Sequence, residues 1–430
     1  MDWKIKRAKA PLKGEITVPP DKSISHRAIM FSSIASGKCV ISNFLDSEDC
    51  MRTLEAFRAM GVDITRDGRT VTVIGKGLKG LKAPASSLNM GNSGTTTRIL
   101  SGILAAQPFT STLFGDASLS RRPMKRIMEP LAMMGARLEA MEGGDHLPIR
   151  ITGSDRPLKS IDYKLPVASA QVKSCVLAAG LYSEGKTSVA EPMQSRDHTE
   201  RMLEYFSAGI KREGLTTEIT GLAELSPKDI TVPGDISSAA FFMVAAAIVE
   251  GSCVVLRDVG LNPTRTGILD VLGRMGANIR VLARRGTLEP SGDFEVRGSV
   301  LKGTTVEEKE VPFLIDEIPA IAVAASMASG RTVIKGVKEL RVKETDRVKS
   351  VIEMLSRLGA KAEDAGDDLI IHGGAKIMKN ASLDSFGDHR IAMIGAIAAL
   401  VSVEECLVRD TACVDTSYPG FMRDLGKLVS

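Results

Sequence analysis

The sequence is poor in several things. Aromatic residues make up 4% of its 430 positions, with a single tryptophan, Trp3. A single-strand nucleic-acid binder stacks bases on aromatic rings set among basic residues, and that interleaving is missing. Five histidines, at 26, 146, 198, 372 and 389, are scattered without metal-ligand spacing. The six cysteines contain no C-x-x-C pair, so they read as small hydrophobes in a reducing compartment. Long apolar runs are absent too. The two most apolar stretches, 239–249 and 391–403, are too short to span a bilayer and read as buried helices. The opening Met1-Asp2-Trp3-Lys4-Ile5-Lys6 leads into no apolar segment of signal-peptide length. These absences point to a cytoplasmic, metal-free protein.

What is present is ordinary in bulk. Hydrophobic residues are 43% and charged residues 25%, as in a globular protein, with 19 methionines among the core formers. The length suggests two or three domains. A net charge of +4 is mild and does not call for nucleic acid, but it suits a small, strongly anionic substrate.

The informative feature is an internal repeat. Helical segments ending in glycine occur at 54–61, 128–135, 202–209, 269–276, 354–359 and 421–426. A second kind of helix, rich in Ala, Ile and Met and poor in charge, precedes each, at 25–36, 95–106, 170–181, 237–250, 318–329 and 390–401. Helices apolar on most faces are buried ones. Short β-like stretches such as 39–43, 187–190, 252–257 and 332–335 follow. Both helix types recur in phase, giving six units of about 72 residues. Three units are expected in a domain over 21–232. Three more are expected in a second domain over 233–430, which residues 1–20 should join because a lone opening strand needs a sheet.

Each buried helix begins with small polar residues suited to N-capping. Six such starts would aim free N–H groups and positive dipole ends one way, and two such faces opposed would form a cleft suited to phosphates and carboxylates. Cations stand at helix starts of the repeated units where the dipole disfavours them: Lys22, Arg27, Arg122, Arg196, Lys343, Arg347 and Arg390, with Arg122 and Arg196 expected to open helices of the glycine-ended kind. On a helix, Lys343 and Arg347 would lie four apart on one face with Glu344 beside them. Asp316 is expected to cap the buried helix that follows it. Singly, each motif reads as well as a basic turn, a plain cap or a surface ion-pair network. Together they would hold a substrate with several negative charges beside two carboxylates, Asp316 and Glu344.

In order along the chain, Asp21-Lys22-Ser23-Ile24-Ser25-His26-Arg27, Gly91-Asn92-Ser93-Gly94-Thr95, Arg122-Pro123, Ser169-Ala170-Gln171, Arg196-Asp197-His198-Thr199, Arg341-Val342-Lys343-Glu344-Thr345-Asp346-Arg347, Gly387-Asp388-His389-Arg390 and Tyr418-Pro419 resemble the motifs of the 5-enolpyruvylshikimate-3-phosphate (EPSP) synthase family. The resemblance implies an α/β fold of two domains, an inverted α/β barrel-like architecture with three βαβαββ units per domain, closing over a cleft between them. It implies transfer of the enolpyruvyl group of phosphoenolpyruvate to the 5-hydroxyl of shikimate 3-phosphate in aromatic amino-acid biosynthesis. No metal or organic cofactor, nucleic acid or membrane is implied, and a cytoplasmic monomer is expected.

Carried over motif by motif, Lys22, Ser23, Arg27, Ser169, Gln171, Arg196, Asp316 and Lys343 should contact shikimate 3-phosphate. Lys22, Asn92, Gly94, Arg122, Gln171, Arg347 and Arg390 should surround phosphoenolpyruvate. Asp316 is the expected base, and Glu344 and Lys22 are the candidate acids. Ala170, Glu339 and Thr416 depart from some members, which have Ser, Asn and Lys there, and so resemble a divergent bacterial branch. Those departures bear on inhibition by glyphosate, whereas Gly94 leaves room for a phosphoenolpyruvate mimic. Two alternatives remain at this stage. UDP-N-acetylglucosamine enolpyruvyl transferase usually has Lys-Asn in place of Lys22-Ser23 and a cysteine, or sometimes an aspartate, in the loop near 114–122. A non-enzymatic polyanion-binding repeat protein fits poorly with Asp316 and Glu344.

Overall fold

The computed structural model describes residues 1–286, 288–375 and 381–429. Twelve α-helices occur among them, in two alternating kinds. The first kind comprises α1 (Lys22–Ile34), α3 (Gly94–Leu104), α5 (Ala170–Gly180), α7 (Ile236–Ile248), α9 (Ile318–Met327) and α11 (His389–Ala399). The second comprises α2 (Glu48–Ala59), α4 (Lys125–Met133), α6 (His198–Tyr205), α8 (Gly267–Arg274), α10 (Arg347–Arg357) and α12 (Phe421–Gly426). The sixfold alternation expected from the sequence is therefore present.

The two kinds differ as their composition dictates. In α7 every residue from Ile236 to Ala247 is buried, and α9 is buried from Ile318 to Ser326. In α10, by contrast, Val348, Val351, Met354 and Leu355 face inward while Lys349, Glu353 and Arg357 face out. Burying side chains such as Phe241 and Phe242 is worth roughly 1.5–3 kcal/mol each. The buried helices approach closely where small residues allow it. A Cβ on Gly102 of α3 would stand 2.3 Å from the Cys175 carbonyl oxygen of α5, so only glycine fits there.

The strands complete each repeat as a small mixed sheet. In one, Leu88–Asn89 runs parallel to Thr110–Phe114, which pairs antiparallel with Ile149–Thr152, which pairs antiparallel with Arg137–Ala140. The parallel step is the crossover through α3. Asp162–Lys164, Lys186–Ala190, Thr216–Thr220 and Ile210–Glu213 repeat this order around α5 and α6. So do Thr305–Val306, Arg331–Ile334, Asp368–His372 and Lys361–Ala365 around α9 and α10.

Three repeats take a strand from elsewhere in the chain. Ile230–Thr231 lies parallel to Ser36–Ser42 and starts the sheet of α1 and α2. Lys13–Thr17 lies parallel to Cys253–Gly260, beside α7 and α8. Trp3–Ile5 pairs antiparallel with Cys406–Arg409, after α11. The opening segment thus holds two strands where one was expected.

The chain divides into two compact units, Pro20–Val232 and Met1–Pro19 with Pro233–Ser430. In the first unit one borrowed strand, Ile230–Thr231, completes the sheet of the first repeat, and in the second Lys13–Thr17 and Trp3–Ile5 complete the sheets of the first and last repeats.

Candidate active site

In the unit of residues 20–232, the site residues gather at the N-terminal ends of α1, α3 and α5 and before α6. Asp21 caps α1, accepting the Ile24 amide at 2.8 Å. Ser93 caps α3 and Ser169 caps α5 in the same way. Each cap satisfies one helix amide and leaves the neighbouring backbone N–H groups directed outward.

Lys22 is the first residue of α1, and its ammonium pairs with Asp49 on α2. Arg27, one turn on, is buried. It donates to Thr199 Oγ1 at 2.7 Å, Ser174 Oγ at 2.9 Å and the Ser23 carbonyl at 3.0 Å, which ties α1 to α5 and α6. Arg196 is half-buried between buried Ser195 and Asp197, just before α6.

Around Gly94 the arrangement is tight. Arg122 donates to Asn92 Oδ1 at 2.7 Å, and Asn92 Nδ2 donates to Asp116 at 2.8 Å. Arg98 donates to Gln171 Oε1 at 2.6 Å, and Gln171 Nε2 donates to Thr95 Oγ1 at 3.0 Å. A Cβ on Gly94 would stand 2.9 Å from Arg98 Nη1 and 3.4 Å from Arg122 Nη1. Two guanidiniums therefore flank the first residue of α3, where the helix dipole already favours an anion. Asn92, Gly94, Arg122 and Gln171 come together as the sequence suggested. Arg98 joins them unforeseen, although its place one turn after Gly94 in the glycine-rich motif was a usable signal.

In the other unit, the residues assemble around Asp316. Its carboxylate lies 3.1 Å from Arg347 Nη1, 3.7 Å from Lys343 Nζ and 3.8 Å from Arg390 Nη2. Arg390 also donates to the Asp316 carbonyl at 3.0 Å. Arg347 further bonds Glu344 at 2.5 Å and Asp388 at 2.8 Å. Burial by itself would lower the Arg347 pKa, but Asp388, Glu344 and Asp316 outweigh it and raise the pKa, so the guanidinium is a permanent cation.

Three local expectations are corrected. Lys343 and Glu344 are not on a helix with Arg347: α10 starts at Arg347 with Asp346 as its cap, and Lys343 ends a short 3-10 turn, Lys338–Val342. Asp346 accepts the Lys349 amide at 3.2 Å, which fixes the start there. Asp316 is not a helix cap either, because the N-cap of α9 is Glu317 and makes no side-chain cap bond. The Asp316 carboxylate meets the cations Arg347, Lys343 and Arg390. Arg122 likewise precedes α4 and does not open it.

Among the described residues no group of three or more His, Cys, Asp or Glu could hold a metal ion. The cysteines are free, and burial pushes the Cys175 thiol up to about 12, which leaves it unreactive at neutral pH.

A family model for EPSP synthase (3-phosphoshikimate 1-carboxyvinyltransferase) matches residues 6–425. The chain belongs to the EPSP synthase family. It is 51% identical to the 3-phosphoshikimate 1-carboxyvinyltransferase of Bacillus cereus strain B4264 over 418 residues, 97% of each chain. The enzyme of that name from Oceanobacillus iheyensis is 51% identical over 419 residues, also 97% of each. An EPSP synthase structure from Acinetobacter baumannii superposes with a TM-score of 0.88 at 47% identity, covering 99% of this chain and 98% of that one. The enolpyruvyl transferase NikO from Streptomyces tendae, 18% identical with a TM-score of 0.80, shares the fold. Membership makes the chain a transferase of aromatic amino-acid biosynthesis and sets aside the non-enzymatic alternative.

Proposed function

We propose that the chain moves the enolpyruvyl group of phosphoenolpyruvate to the 5-hydroxyl of shikimate 3-phosphate by addition and elimination, with Asp316 as the base. What carries this reading is the setting of Asp316, a carboxylate with Arg347, Lys343 and Arg390 within 4 Å. Such a group can accept a hydroxyl proton where anionic substrates are also attracted.

In this reading Lys22, Ser23, Arg27, Ser169, Gln171, Arg196, Asp316 and Lys343 contact shikimate 3-phosphate. Lys22, Asn92, Gly94, Arg122, Gln171, Arg347 and Arg390 surround phosphoenolpyruvate. The substrate oxygen bonds to C2 of phosphoenolpyruvate as its proton passes to Asp316, and C3 takes a proton from Glu344 or Lys22. The tetrahedral ketal phosphate then loses phosphate from C2 and a proton from C3, which restores the double bond. Glu344 supports the acid role by its contact with Arg347, which places it beside Asp316. Arg98 joins the phosphoenolpyruvate set because it flanks Gly94. The reading includes a cytoplasmic monomer.

The test is a coupled phosphate-release assay. Phosphoenolpyruvate with shikimate 3-phosphate should release phosphate with a chelator present. Release with UDP-N-acetylglucosamine as acceptor, and none with shikimate 3-phosphate, would overturn the proposal.

A further inference from the structure

Three first-turn and mid-helix polar residues in the unit of residues 20–232 have no part in the chemistry above, yet they are fully buried and bonded to one another. His26 Nδ1 on α1 lies 2.7 Å from Thr53 Oγ1 on α2. Thr53 Oγ1 lies 2.7 Å from Thr96 Oγ1 on α3. Thr96 Oγ1 lies 2.6 Å from Ser93 Oγ, the residue that caps α3. His26, Thr53 and Thr96 are wholly inaccessible and Ser93 nearly so. Burying four polar side chains in a row is costly unless each is satisfied, so the row specifies one arrangement of the three helices.

The two ends of the row are what matter. Its first residue stands between Lys22 and Arg27 on α1, and its last stands between Asn92 and Gly94. A second tie runs alongside, because Asp49, one turn before Thr53 on α2, pairs with Lys22. So α2, which supplies no substrate contact in the reading above, holds the starts of α1 and α3 at a fixed separation. A shift of either start by a fraction of an ångström would misplace the backbone N–H groups and cations at which an anion binds.

Burial, then the nearby charges of Lys22 and Arg27, drive the His26 pKa well below its ordinary value of 6.5, so the ring is neutral. Its Nε2 has no hydrogen-bond partner among the described residues. A buried orphan acceptor is more readily tolerated than a buried orphan N–H. With the proton on Nδ1 the orphan Nε2 would be an acceptor; along the row either hydroxyl of each Thr–Thr and Thr–Ser pair can be the donor. Ser93 Oγ takes the Thr96 amide at 3.1 Å as well.

We propose that Thr53 is a positioning residue for phosphoenolpyruvate, acting through Thr96 and Ser93 to set the start of α3 against the start of α1. The proposal rests on the reading that Asn92, Gly94 and Arg122 receive that substrate.

The experiment compares Thr53→Val, Thr53→Ser, Thr96→Val and Arg122→Lys with the unmodified enzyme. It records KM for each substrate, kcat and the melting temperature. Thr53→Val keeps the shape but removes the hydroxyl. It should raise KM for phosphoenolpyruvate five- to twenty-fold and change KM for shikimate 3-phosphate less than two-fold. Thr96→Val should do the same, and Thr53→Ser should return KM to within two-fold of the unmodified enzyme. A melting temperature lowered with both KM values unchanged would overturn the proposal, and so would equal rises in both KM values. If Thr53→Val does not fold, the Thr96→Val and Thr53→Ser results decide alone. Arg122→Lys separates the two levels of the argument. An unchanged KM for phosphoenolpyruvate there overturns the underlying site reading. A raised KM there, with Thr53→Val and Thr96→Val silent, overturns the positioning role alone.

Discussion

Arg347 Nε donates to Asp388 Oδ2 at 2.8 Å, and both side chains are shut off from solvent. Asp388 also caps α11 by accepting the Arg390 amide at 2.9 Å. One carboxylate thus fixes the guanidinium that faces Asp316 and the start of the helix that carries Arg390. Removing it leaves a buried cation short of its partner, at a cost of about 3–5 kcal/mol. Asp388→Ala should lower unfolding free energy by that order in denaturant titrations. It should also cut turnover, because Arg347 loses its orientation. A loss below 1 kcal/mol would show that the pair carries little.

Asp316→Asn keeps the size of the side chain and removes the base. Its fold should persist, as judged by an unchanged circular dichroism spectrum, while kcat falls by about two to four orders of magnitude, the range for a lost general base. Lys22→Met should act comparably, with an added rise in KM, since its ammonium sits at the α1 start. Activity near that of the unmodified enzyme in both would refute the assigned roles.

Gly94→Ala places a Cβ 2.9 Å from Arg98 Nη1. That guanidinium is held by Gln171 and the Pro123 carbonyl, so yielding means loosening a bond at the site. The expected result is a several-fold rise in KM for phosphoenolpyruvate with the melting temperature kept, because alanine is the better helix former. The same Cβ should weaken binding of glyphosate if that inhibitor occupies the phosphoenolpyruvate position. Inhibition curves for the two proteins, run at matched substrate saturation, would show it.

His26 gives a pH prediction with a definite sign. Its folded pKa lies well below the 6.5 of the exposed ring. Between those two values the unfolded chain binds a proton that the folded chain does not, so stability rises with pH. Cooling the comparison to one group, stability should fall by up to about 1.4 kcal/mol per pH unit as pH drops below 6.5. His26→Gln, which cannot titrate, should show a shallower slope over pH 5 to 6.5 in otherwise identical unfolding curves.

Much of this was legible from sequence, for physical reasons. Helix burial is written in composition: Ile236 to Ile248 carries no charge and Lys125 to Met133 is amphipathic, so the two helix kinds separate without coordinates. Capping is local as well, and Asp21, Ser93, Ser169, Asp235 and Asp388 all accept an amide at their own helix starts. Motifs such as Lys343-Glu344-Thr345-Asp346-Arg347 identified the family residue by residue.

Other features depended on contacts between residues far apart in the chain, which no local pattern encodes. The sequence could not show that α10 begins at Arg347, because a cap by Asp346 and a helix through Lys343 differ little in propensity. It did not reveal that Trp3–Ile5 completes a sheet some four hundred residues away, since a three-residue strand pairs wherever tertiary packing offers an edge. Nor did it link His26, Thr53, Thr96 and Ser93, each unremarkable on its own helix. Sequence determined the helices, their caps and the family. Tertiary packing alone decided which carboxylate meets which cation, and which buried hydroxyls join one helix start to the next.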